Sequence, residues 1–139
     1  MRPLFPLLAL CLPVAALAQE AERDSLFADY QDFRAYIDSH MMQRDFIPMI
    51  QRLGGRDEYT MEQLSQVNTQ LLTAFPADFT DVATVRSIEM AGGFREEAYA
   101  YWNGLSYAWF YALLHERADD LVVIQFNVNS NASIVLDKF

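Results

Sequence analysis

A chain of 139 residues with 19 acidic against 10 basic side chains carries a formal net charge of −9, which argues against phosphate backbones and anionic lipid as partners. Its one cysteine, Cys11, falls in an apolar leader, so the rest of the chain can use neither disulfides nor thiolate chemistry. Stability must therefore come from an apolar core, for which a composition of 53% hydrophobic residues suffices.

Met1 to Ala18 reads as a secretory signal. Arg2 supplies the positive start, Leu4 to Leu17 the apolar run, and Ala16-Leu17-Ala18 the small-x-small cleavage site. The run is shorter than the roughly 20 apolar residues that span a bilayer, and Glu20, Glu22, Arg23 and Asp24 follow at once. The expected product is a secreted, periplasmic protein of a Gram-negative bacterium that begins at Gln19 and keeps no stable membrane anchor. Residues 19–139 are expected to form a single α+β domain.

Three helices come next. Leu26, Tyr30, Phe33, Ile37 and Met41 recur at helical spacing, predicting an amphipathic helix over Asp24 to Met41. Asp45 can cap a second helix, with Pro48 in its first turn and Gly54-Gly55 at its end. A third begins with the capping box of Thr60 and Gln63, carries Met61, Leu64, Val67, Leu71, Leu72 and Phe75 as a stripe, and stops at Pro76.

Strands follow. Thr84 to Met90 reads as one, closed by Gly92-Gly93. Asn103-Gly104 is the two-residue hairpin signal between Arg95 to Trp102 and Leu105 to Glu116. That register sets Trp102 opposite Leu105 and Ala98 opposite Trp109. The turn Arg117 to Asp120 then sets Glu116 opposite Leu121. At the end, Asn131 can cap a short helix through Ile134 to Lys138, or Ile134 to Leu136 can form an edge strand; the helix is preferred.

The fold class expected is α+β, with three N-terminal helices packed on one face of a curved antiparallel four-strand meander. This element order resembles the NTF2-like and cystatin-like superfamilies. In addition, Gly92-Gly93-Phe94, Tyr101-Trp102-Asn103-Gly104, Tyr107-Ala108-Trp109, His115-Glu116-Arg117 and Phe126-Asn127 resemble stretches of short secreted bacterial proteins with no assigned activity. The resemblance implies a fold and carries over no catalytic residue.

Side chains alternate across a strand, which divides the meander into two faces. Trp102, Leu105, Tyr107, Trp109, Tyr111, Phe126 and Val128 fall on the face expected to meet the helices. The other carries Arg95, Glu97, Tyr99, Tyr101, Phe110, Val123, Gln125 and Asn127, and is the candidate interaction face. A homodimer or an envelope protein is its expected partner.

Reactive constellations are sparse. Asp38-x-His40 and the isolated His115 lack metal-ligand spacing, so neither a metal nor a cofactor is expected. Glu96 and Glu97 project to opposite faces and cannot form an acid–base dyad. The first functional reading is thus a non-catalytic binding or self-associating module. The alternative is a small-ligand binder or acid–base enzyme with an NTF2-like pocket lined by Tyr107, Tyr111 and His115.

Overall fold

The computed structural model describes residues 25–54 and 59–139. The leader, its cleavage site and Gly55 lie outside those residues. What it shows is an α+β fold built on a five-stranded antiparallel sheet, so the expected four strands are one too few.

The additional strand is β1 (Leu26–Phe27), drawn from residues that helical spacing had assigned to the first helix. Asp29 starts the helix later than that spacing suggests, because its carboxylate accepts from the Asp32 N–H and fixes α1 as Tyr30–Met42. Ahead of it, Leu26 and Phe27 pair with Val122 and Leu121. Arg52 of α2 (Phe46–Gly54) holds β1 in place by donating to the Leu26 carbonyl and lying 4.4 Å over the Phe27 ring.

Helix α3 (Met61–Ala74) begins as its sequence dictates: Thr60 Oγ1 accepts from the Gln63 N–H, and the Gln63 side chain accepts from the Thr60 N–H. The strands β2 (Asp81–Glu89), β3 (Phe94–Asn103), β4 (Ser106–Glu116) and β5 (Leu121–Asn129) follow, and α4 (Ala132–Leu136) is capped by Asn131. The sheet order is β1-β5-β4-β3-β2. Gly93, in the turn before β3, has φ +85°, and a Cβ there would meet the Glu116 carbonyl oxygen at 2.3 Å. Only glycine fits between the two strands.

The β3–β4 hairpin departs from the expected register. Asn103 pairs with Ser106, Trp102 with Tyr107 and Ala100 with Trp109, so the turn residues are Gly104 and Leu105. Asn103 is kept in the strand by its side-chain N–H, which donates to the Asp78 carbonyl at 2.8 Å, and Gly104 alone takes the positive φ, at 58°. Leu105, expected in the core, stands 96% exposed at the tip.

That slide is an even number of residues, so the two faces keep their membership through β3 and β4. Their sides are reversed. Helices α1 to α3 cover Glu97, Tyr99, Tyr101, Ala108, Phe110, Ala112, Leu114 and Val123, all of them buried. Phe110 is fully buried, with Tyr99 stacked at 5.7 Å and Phe126 at 6.3 Å. The opposite face carries Ala98, Tyr111 and part of Trp109, roofed by Val135, Leu136 and Phe139 around α4.

The second half of β5 turns over relative to the first. Glu116 faces Leu121 as the turn predicts, but an irregularity beside Leu113 and Leu114 then shifts the pairing. Beyond it Phe126 faces Ala112 and Asn127 faces Tyr111. Phe126 and Val128 thereby join the helix-side core, and Gln125 and Asn127 turn to the α4 side.

Candidate functional site

Six of the eight residues proposed as an interaction face occupy two environments, neither of them an open surface. Tyr99, Tyr101, Phe110 and Val123 are core, so the face carrying them is unavailable to a partner. Glu97 and Arg95 belong to a polar network that ties α1 to the sheet. The Glu97 carboxylate accepts from Tyr30 Oη at 2.6 Å, from Tyr99 Oη, and from Ser87 Oγ at 2.9 Å, with an Arg95 nitrogen at 3.7 Å. Arg34 lies 3.7 Å over the Tyr99 ring, and Tyr101 Oη donates to Asp38 at 2.6 Å.

These phenols are difficult to ionise. Burial first, and then the hydrogen bonds to Glu97 and Asp38, push Tyr99 and Tyr101 far above the ordinary tyrosine range; desolvation and Glu97 raise Tyr30 as well. Tyr111, beneath α4 and donating to Glu96 at 3.0 Å, is pushed up to about 12, by desolvation and then by that bond. A folded-state pKa above the unfolded value of about 10 gives stability that is complete below pH 10 and lost as pH rises toward the folded pKa. The tyrosinate absorbance of Tyr30, Tyr99, Tyr101 and Tyr111 in an alkaline titration should therefore lag that of free tyrosine and rise together with the loss of secondary structure. Ionisation at the ordinary pH without unfolding would contradict this packing.

The alternative pocket residues are on the wrong side for a cavity beneath the helices. Tyr107, Tyr111 and His115 share the α4-side face of β4. Tyr107 is exposed and stacks between Trp102 at 6.0 Å and Trp109 at 6.3 Å. His115 stacks on Phe94 at 4.0 Å and bonds the Gly92 carbonyl at 3.1 Å. No group of three or more metal-ligating side chains occurs among the described residues. Nor is any described helix long and apolar enough to cross a membrane.

An open site does exist where neither reading placed it, between α3 and β5. Of the α3 stripe only Leu64 is buried within the helix, with Phe75 at its end; Leu71 and Leu72 are half-buried and Val67 is 38% exposed. The helix stands away from the sheet at this point and leaves a groove of about 400 Å³. Ile50, Leu64, Val67, Leu71 and Ala74 line one wall, and Phe126, Asn127, Val128 and Asn129 the other. A smaller hollow of about 240 Å³ continues along the same strand past Val123, Ile124 and Gln125, sharing Tyr59 and Phe126 with the first.

The wall formed by β5 is also a sheet edge. Among the described residues, β1 covers it at Leu121 and Val122, with one further bond from the Val123 N–H to the Ser25 carbonyl at 2.8 Å. From Ile124 to Asn129 the outer edge has no strand partner among the described residues. The Asn127 Oδ1 atom, part of this wall, is buried and without a hydrogen-bond partner. Of the residues proposed as an interaction face, Val123, Gln125 and Asn127 line this site.

One sequence signal does point here. No Asp, Glu, Lys or Arg occurs between Glu62 and Asp78, nor between Asp120 and Asp137, and those two stretches supply α3 and β5. In so acidic a chain, two uncharged segments that meet in space mark a surface unlike the rest.

No protein-family model, no curated protein and no solved structure matches the chain.

Proposed function

We propose that the protein is a non-catalytic binding module that takes an extended, apolar stretch of polypeptide into the α3–β5 groove, against the free edge of β5. The observation that carries this reading is the coincidence of a strand edge, unpaired among the described residues, with an apolar groove along it. Such an edge offers backbone donors and acceptors to an added strand, while the hollows beside it receive alternate side chains. Among the described residues, Tyr59 is the one titratable side chain in the lining of either hollow, and a lining of that kind favours binding over catalysis.

A small apolar ligand is the second reading, favoured by the groove's volume of about 400 Å³, within the range that small-molecule sites occupy. Secretion to the periplasm and an NTF2-like or cystatin-like ancestry belong to the same proposal. They are supported by the leader pattern of residues 1–18 and by the helices-then-meander order.

Selection of a displayed random-peptide library on the immobilised protein tests the main reading. Recovered peptides should be strand-formers with alternating apolar residues, and Val67→Arg, at an exposed groove position, should weaken their binding at least tenfold without altering the circular dichroism. Recovery of no peptide, or of peptides indifferent to Val67→Arg, would contradict it.

A further inference from the structure

Resting on that reading of the groove, we infer that its occupant is a second copy of this chain, the two β5 strands pairing antiparallel across a two-fold axis. Charge is the first argument. With a net charge of −9, two copies repel one another over most of their surfaces. The segments 63–77 and 121–136 carry no charged side chain, so the α3–β5 side is where two copies can approach without that cost.

Geometry is the second. A two-fold axis perpendicular to the sheet pairs each face with the same face of the copy. With Asn127 on the axis, opposite its own counterpart, Phe126 of one chain faces Val128 of the other, and Gln125 faces Asn129. Apolar pairs then fall on the helix side, where Phe126 and Val128 already pack on the core. Amide pairs fall on the α4 side, where Asn127 holds a buried oxygen in need of a donor. The joined strands unite two five-stranded sheets into one. Ile124, now 52% exposed beside the groove, is drawn into the contact.

Such a dimer protects a long uncovered edge.

Cysteine cross-linking with sedimentation velocity tests the inference. The full-length gene carrying Cys11→Ser is expressed with either Asn127→Cys, at the axis, or Ser87→Cys, on the opposite edge strand β2. Mild oxidation should give a disulfide-linked dimer from the first variant and monomer from the second. Without added cysteines, the protein should sediment as a dimer at tens of micromolar, and Ile124→Lys should weaken that dimer at least tenfold with the fold intact.

A protein monomeric at every concentration, or a dimer that Asn127→Cys fails to link and Ile124→Lys leaves untouched, would overturn the inference. If peptide selection still depended on Val67 in that case, the groove would serve a different chain and the binding reading would stand. Failure of both experiments would remove the two together.

Discussion

Glu97→Ala is expected to destabilise the protein by about 3–5 kcal/mol, the usual cost of breaking a buried ionic cluster by removing one partner. Tyr30, Tyr99 and Ser87 all donate to this carboxylate, which is 3% exposed. Alanine leaves those hydroxyls without the carboxylate that accepts from all three, and leaves the Arg95 charge paired with the exposed Glu89 and Glu116. Glu97→Gln retains an acceptor oxygen and should cost less, about 1–2 kcal/mol. Urea denaturation of the three proteins measures the series. A mild Glu97→Ala would show that the network does not hold α1 to the sheet.

Phe110→Ala should cost a similar amount, about 3–5 kcal/mol, for a fully buried phenylalanine. Its ring is enclosed between Tyr99 and Phe126 under the helices, so truncation opens a void lined by rigid aromatics. Trp109→Ala, one residue along, should cost under about 2 kcal/mol, because Trp109 is half-buried on the α4 side and stacks on the exposed Tyr107. The order of the two is what distinguishes the faces of the sheet. Denaturant melts in which Trp109→Ala is the more damaging would place the helices on the opposite side.

That choice of side could not be read from the sequence, because β4 is apolar in both phases. Tyr107, Trp109 and Tyr111 alternate with Ala108, Phe110 and Ala112, and the larger side chains suggested the core. Packing favours the reverse. The small Ala108 and Ala112 leave room beneath the helices for the rings of α1 and α2, among them Phe33 and Phe46, while α4 shelters Tyr111. Signals held in a few adjacent residues were legible: the capping box at Thr60, the cap at Asn131, the strand near Thr84 and the pairing of Glu116 with Leu121.

The features that define the groove are non-local. β1 exists because Leu26 and Phe27 find Val122 and Leu121, nearly a whole chain away. The turnover of β5 depends on how β4 accommodates an additional residue, and no turn-former marks it in the sequence. The two uncharged segments are present in the sequence, but their meaning depends on their meeting in the fold.

Hydrogen–deuterium exchange at low and high protein concentration tests most directly whether the β5 edge is where a second chain docks. Peptides spanning residues 121–131 should gain protection as concentration rises through the micromolar range, while those from the other edge, β2, remain unchanged. Exchange of the β5 peptides that does not vary with concentration, or protection that appears on β2 instead, would contradict the account.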